Sequence, residues 1–242
     1  FIPAGLEPGK VGAASAYGAT VVEVNGTYDD VNRLCVELAD LYGWAIVNVN
    51  LRPFYSEGSK TLAFEVVEQL GWRAPDHLVV PVAAGSLLAK TAKAFQEMVG
   101  VGLLDRASTR IHAAQAEGCA PVSTAIQHGR DQVTPVRPNS IAKSLAIGNP
   151  ADGRYAARAV RASGGWGTAC REDAVQEAMA LLAQTEGILS EPAGGVVVAG
   201  LADKTTELFE VRDGHRLQLA KARAADFEQA LAAAEKAPAV VA

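Results

Sequence analysis

From His77 to Met98 the chain passes from a continuous apolar run, His77-Leu78-Val79-Val80-Pro81-Val82, through the small residues Ala83-Ala84-Gly85-Ser86 into a helical pattern over Leu87 to about Met98. A short apolar run without alternation is a strand covered on both faces, and a strand feeding straight into a helix is half of a β-α-β unit. This segment calls for a sheet with helices packed against it. The same alternation recurs elsewhere. Val31, Leu34, Cys35, Leu38 and Leu41 fall on one helical face, with Thr27 and Asp30 as a capping box of shorter acid and Asn25-Gly26 as the turn before it. Valine-rich segments on either side, Ala19 to Val24 and Trp44 to Val49, read as strands. The expected class is α/β, an open and mostly parallel sheet with helices on both faces.

Leu51 to Gly58 interrupts this pattern with Pro53, Gly58, Phe54 and Tyr55, and is read as the boundary between a segment 1–50 and a larger one, 51–242. In the larger segment Leu62, Ala63, Val66, Val67 and Leu70 predict a helix over Ser59 to Leu70, closed by Gly71. A strand is expected at Arg110 to Ala116, a short helix after Pro121 and a small-residue loop over Ala142 to Asp152. A helix carrying Val175, Ala178, Met179 and Leu182 leads into Gly187, and another starts at Pro192 and runs through Leu201. The alanine-rich stretch from Ala224 onward reads as a helix with a frayed tail.

Composition narrows the partners. With 22 basic and 27 acidic side chains the net charge is -5, so no electrostatic footprint for nucleic acid or an anionic membrane is present. No apolar stretch nears the roughly 20 residues of a membrane helix, and the start lacks a basic segment followed by an apolar one. Cys35, Cys119 and Cys170 are too few and scattered for a disulfide framework, which fits a reducing cytoplasm. The chain begins with Phe1 rather than methionine, so a fragment or processed product is expected.

Small residues at Ala83-Ala84-Gly85-Ser86-Leu87 allow an anion to approach the unpaired N–H groups of a helix start, and Ser86 can cap the helix or donate to the same anion. A plain tight connection is the other reading, and both stay open at this point. Gly58-Ser59-Lys60-Thr61 lacks the glycine before the lysine that a P-loop needs, and Gly85 has no glycine partners for a dinucleotide fingerprint. His77, His112, His128 and His215 are expected to stand far apart, without cysteine or carboxylate at ligand spacing, so no metal is expected. Asn25-Gly26-Thr27 matches a glycosylation acceptor, but reads better as turn and cap. Cys119 ends a strand, where sheets of this class open their crevices, although a lone cysteine is more often a buried apolar residue than a nucleophile. Glu186 and Glu191 bracket Gly187-Ile188-Leu189-Ser190; Glu186 suits a helix terminus and Glu191 is left open.

Four segments taken in order resemble the threonine synthase family: Arg52-Pro53-Phe54-Tyr55-Ser56-Glu57-Gly58-Ser59-Lys60-Thr61, Gln115-Ala116-Glu117-Gly118-Cys119-Ala120-Pro121, Ile141-Ala142-Lys143-Ser144-Leu145-Ala146-Ile147-Gly148-Asn149-Pro150, and Thr185-Glu186-Gly187-Ile188-Leu189-Ser190-Glu191-Pro192-Ala193-Gly194-Gly195. That family belongs to the fold-type II pyridoxal-phosphate enzymes, with threonine dehydratase and the tryptophan synthase β chain. The resemblance implies conversion of O-phospho-L-homoserine and water to L-threonine and phosphate, with pyridoxal 5′-phosphate as electron sink. It implies that Ala83, Ala84, Gly85, Ser86 and Leu87 form the cofactor-phosphate loop, where relatives often have glycine or asparagine at the first two positions. Alanine there is strained if a positive φ is required. It further implies that Ser144, Ile147, Gly148 and Asn149 lie beside the cofactor ring, with Cys119 and Glu191 near the pocket.

The family's Schiff-base lysine lies in a Ser-Phe-Lys-Asp-Arg-like motif upstream of the segment Phe1 begins, and no such motif occurs here. Lys60 belongs to a different motif and reads as a solvated surface lysine. After Leu201 no counterpart of the family's Thr-Gly-containing loop is found. The resemblance therefore implies a fold incomplete at its N-terminus: residues 1–50 as the remnant of a small lobe, and 51–242 as the cofactor lobe with an atypical tail from about 202. It leaves a homodimer open and implies a chain inactive by itself. A threonine or serine dehydratase-like enzyme and a non-catalytic remnant are the alternatives.

Overall fold

A computed structural model describes residues 1–48, 53–213 and 239–241. It divides into two compact units, Phe1–Tyr55 and Ser56–Ala242. In the first, strand β1 (Ile2–Pro3) pairs in parallel with β2 (Glu23–Val24), and helix α1 (Pro8–Ala16) connects them. Helix α2 (Tyr28–Tyr42) starts with the capping box expected from sequence: Asp30 N donates to Thr27 Oγ1 at 3.3 Å and Thr27 N donates to Asp30 Oδ2 at 2.8 Å. It ends at Gly43, whose φ of 65° suits the left-handed cap, and buries Val31 and Cys35. The strand expected at Ala19 to Val24 is confined to β2, and Trp44 to Asn48 forms no strand, Val49 lying outside the described residues. Val47 is largely exposed, so its side chain has no packed surface to favour an extended pairing, and the half-exposed Trp44 stacks instead on Tyr42 and Phe1.

Helix α3 (Pro53–Gly58) occupies the expected break, with proline at its first position; α4 (Lys60–Gln69) follows. The larger sheet has four parallel strands in the order β5-β4-β3-β6, where β3 is His77–Pro81, β4 Arg110–Ala116, β5 Gly167–Cys170 and β6 Ala239–Val241. Helices α5 (Ser86–Gly100), α6 (Pro121–Gln127) and α7 (Gly153–Ala162) pack with α4 on one face. There Leu78, Val80, Ile111 and Ala113 meet Val67, Leu88, Phe95, Val122 and Val160. On the other face Val79, Ala114 and Ala116 meet Val175 and Val196 of α8 (Glu172–Glu186) and α9 (Pro192–Asp213). Strand residues thus alternate between two cores, and the α/β class with helices on both faces holds.

Three details depart from the sequence pattern. Helix α7 is built on small residues, Ala156, Ala157 and Val160, which carry little apolar signal. Strand β5, Gly-Thr-Ala-Cys, has one β-branched residue and owes its conformation to its place beside β4. A Cβ on Gly167 would lie 2.9 Å from Ser123 Cα, so glycine lets the strand sit against α6. The tail expected as a helix ends in β6, paired with β3; residues 214–238 lie outside those described.

Candidate functional site

Because β3, β4 and β5 run parallel, their carboxyl ends share one edge of the sheet, where open α/β folds place ligand crevices. The first loop there joins β3 to α5. Gly85 caps the helix with φ 92° and ψ -11°, and no side chain caps the helix start. A Cβ at Gly85 would stand 2.8 Å from both the carbonyl carbon and oxygen of Asp152 and 3.0 Å from Gly153 N. Asp152 N also donates to Ala84 O at 2.9 Å, so the backbone before α7 clasps the loop. Neither Ala83 nor Ala84 has a positive φ, so alanine carries no left-handed strain at either position. The first-turn amides of Ser86, Leu87 and Leu88 have no acceptor within the helix and sit at its positive end. Ser86 is buried and its Oγ lies 2.8 Å from Ser56 Oγ, while Leu87 is half-buried.

The loop after β4 contains Cys119, which is buried in a short 3-10 turn, Glu117–Cys119. Gly118 N donates to Glu172 Oε1 at 3.1 Å, and Asn139 N donates to Gly118 O at 2.8 Å. A Cβ on Gly118 would collide with the Asn139 carbonyl. Glu172 Oε2 accepts from Ile141 N at 3.0 Å and Ser140 Oγ at 3.2 Å, so one carboxylate joins two loops. Gln115, fully buried, donates from Nε2 to Val82 O at 3.1 Å and accepts from Val122 N and Ser123 N at 3.0 and 2.9 Å. It links the end of β3 to the start of α6. Ser144 is exposed and donates to Glu191 Oε1 at 3.1 Å, a pairing of two expected site residues 47 apart in sequence. Ile147 and Gly148 are buried and Asn149 is exposed; Gly148 O accepts from Val136 N at 3.0 Å.

Two expectations are corrected here. Lys60 is not a solvated lysine: its side chain is 15% exposed and its Nζ lies 2.7 Å from both Glu57 Oε2 and Glu97 Oε2. The Glu57 carboxylate, followed by that of Glu97, raises the Lys60 pKa and holds the amine protonated. The histidines are not all apart. His77 Nδ1 lies 2.9 Å from His112 Nε2 across β3 and β4, and His112 stacks on Trp166 with ring centroids 4.2 Å apart. Trp166 N donates to His112 Nδ1 at 3.2 Å, so neutral His112 carries its proton on Nε2 and donates it to His77. Burial, then the charges of His77 and Arg110, depress the His112 pKa to about 3. Burial pushes the Cys170 thiol up to about 12, which removes it as a nucleophile. Among the described residues no cluster of three or more His, Cys, Asp or Glu could hold a metal ion, and no helix is long and apolar enough to cross a membrane.

Sequence reasoning passed over Ser56, Glu172 and Asp152. Glu172 at the start of a helix reads as a dipole partner, and Asp152 acts through its backbone, so neither carried a distinguishing signal. Gln115, a polar residue set between alanines near the end of a strand, carried one, since burial there requires partners.

Residues 1–214 match the family model described as pyridoxal-phosphate dependent enzyme, and the chain belongs to that family, whose cofactor is pyridoxal 5′-phosphate. It is 33% identical over 219 residues to a threonine synthase of Methanocaldococcus jannaschii, covering 87% of this chain and 54% of that one. It is 36% identical over 204 residues to a threonine synthase of Halalkalibacterium halodurans, covering 83% and 54%. The chain thus spans about half the length of these curated relatives. Among solved structures, a fungal L-serine ammonia-lyase from Rhizomucor miehei superposes with a TM-score of 0.69 at 16% identity, covering 96% of this chain and 73% of that one. A diaminopropionate ammonia lyase from Escherichia coli superposes with a TM-score of 0.68 at 20% identity, covering 99% and 59%. At these identities the likeness is one of fold.

Proposed function

We propose that this chain is the cofactor-binding part of a threonine synthase-like lyase that converts O-phospho-L-homoserine and water to L-threonine and phosphate. Residues 51–242 are read as the cofactor lobe and 1–50 as part of a smaller lobe. The observation that carries the proposal is the cradle at Ala83–Leu87, uncapped, glycine-hinged and clasped by Asp152, in a chain a third identical to threonine synthases. The phosphate end of pyridoxal 5′-phosphate fits this loop. Backbone amides of the first turn of α5 and the Ser86 hydroxyl supply donors, the helix dipole supplies positive potential, and no acidic side chain stands in the first turn. When bound, the cofactor supplies an electron sink for carbanions beside the substrate amine.

The remaining residues act by holding the walls. Gln115 fixes the end of β3 against α6, and Glu172 binds the Gly118 and Ile141 loops together, so Cys119 serves as scaffold. The exposed Ser144 and Glu191 pair presents a hydroxyl and a carboxylate suited to orienting a polar substrate. Lys60, clamped between carboxylates, is no amine for covalent attachment.

The test completes this chain with the portion of the M. jannaschii enzyme it does not match and supplies O-phospho-L-homoserine with cofactor. Equal yields of phosphate and threonine are expected from the folded hybrid. Formation of a 2-oxo acid from threonine or serine, without threonine synthesis, favours the dehydratase alternative and overturns the proposal.

A further inference from the structure

We propose that Ser56 is a positioning residue for the anion cradle: its hydroxyl donates to Ser86 Oγ and so leaves the Ser86 proton for the cofactor phosphate. This rests on the cradle reading above. Ser56 and Ser86 are 7% and 4% exposed, and their oxygens lie 2.8 Å apart. Two hydroxyls bring two protons, and the bond between them uses one. Among the described residues neither oxygen has another hydrogen-bond partner, so one buried O–H lacks an acceptor.

The neighbourhood supplies donors instead. The amides of Ser86, Leu87 and Leu88 face no helical acceptor, Ala84 O is taken by Asp152 N, and Gly85 O by Ala89 N at 3.1 Å. A surplus hydroxyl proton beside surplus amide protons calls for an anion. Because Ser86 stands at the helix start and Ser56 on α3, the arrangement that serves the anion has Ser56 donating to Ser86.

A row of ion pairs fixes Ser56 in place. Ser86, Lys90, Lys93 and Glu97 recur at spacings of four, three and four along one face of α5. Glu57, next to Ser56, pairs with Lys90, with Lys93 at 3.0 Å and with Lys60 at 2.7 Å; Lys60 in turn pairs with Glu97 at 2.7 Å. The start of α4 and the end of α3 are thereby docked along the same stripe that begins at Ser86.

Equilibrium dialysis of the whole 242-residue chain against pyridoxal phosphate, pyridoxal and inorganic phosphate separates the outcomes. Ser86→Ala is expected to weaken pyridoxal phosphate about tenfold, the loss of one charge-assisted bond. Ser56→Ala is expected to weaken it about fivefold, and the double variant no more than Ser86→Ala, because the two act as one unit. Pyridoxal affinity should stay at the wild-type value in all three, while each single variant, which leaves one buried hydroxyl without its partner, should melt lower than wild type and the double variant closer to it. If Ser56→Ala binds pyridoxal phosphate like wild type while Ser86→Ala does not, the positioning role is wrong and the cradle stands. If Ser56→Ala weakens pyridoxal as much as its phosphate, the effect is on folding and the proposal is overturned. A wild-type chain that binds pyridoxal phosphate no better than pyridoxal removes the cradle and this inference together.

Discussion

Replacing Gly85 with alanine tests the cradle through its backbone. At φ 92° an L-residue is strained, by about 1–2 kcal/mol for a left-handed conformation. The new Cβ would also stand 2.8 Å from the Asp152 carbonyl carbon and oxygen and 3.0 Å from Gly153 N. These are backbone atoms tied to Ala84 by a hydrogen bond, so α7 must shift to admit the methyl, and overpacking of this kind costs about 1–3 kcal/mol. Together Gly85→Ala should destabilise the larger unit by about 2–5 kcal/mol. With a urea slope of about 2 kcal/mol/M, the midpoint falls by about 1–2.5 M. Circular dichroism at increasing urea measures the shift, and dialysis against pyridoxal phosphate measures binding under native conditions. Binding should weaken as the clasp opens, and more strongly for Gly85→Asp, which adds a negative charge where an anion sits. A midpoint within about 0.3 M of wild type, with unchanged binding, would refute the idea that the turn is sterically determined.

Acid should destabilise the chain through His112. Its depressed pKa means the unfolded state takes up a proton below about pH 6.5 while the folded state does not until about 3, so stability is full above 6.5 and lost as pH falls towards 3. The slope from this residue approaches about 1.4 kcal/mol per pH unit; urea midpoints should show it in wild type and lose it in His112→Gln, and an unchanged acid slope in that variant would count against it. Borohydride reduction after exposure to pyridoxal phosphate, followed by peptide mapping, should leave Lys60 unlabelled, because Glu57 and Glu97 hold its charge; stoichiometric label there would overturn that assignment. Glu172→Ala removes the acceptor for Gly118 N, Ile141 N and Ser140 Oγ, and should cost about 2 kcal/mol and expose the loops 117–141 to limited proteolysis. Resistance equal to wild type would show that the loops hold without the carboxylate.

Much of the fold was legible because it rests on local rules. The apolar run His77 to Val82, the small residues before α5 and the Thr27–Asp30 box need only near neighbours to define a strand, a tight turn and a helix start. Alternation of such elements already specifies a parallel sheet covered on both faces. What the sequence could not decide depends on partners distant along the chain. Gly-Thr-Ala-Cys becomes β5 because β4 offers it an edge, whereas Trp44 to Asn48 pairs with no strand among the described residues. His77 and His112, 35 residues apart, meet because adjacent parallel strands place them side by side. Lys60 has Glu57 three residues before it, but its second carboxylate, Glu97, comes from α5, 37 residues further along, a contact its own neighbours do not reveal. The cradle divides along the same line. Sequence alone determined that small residues open the start of α5, since that follows from side-chain size and helix geometry. That Asp152 closes over Gly85 and Ser56 meets Ser86 follows from the folded chain, because these contacts require it to return from 67 and 30 residues away.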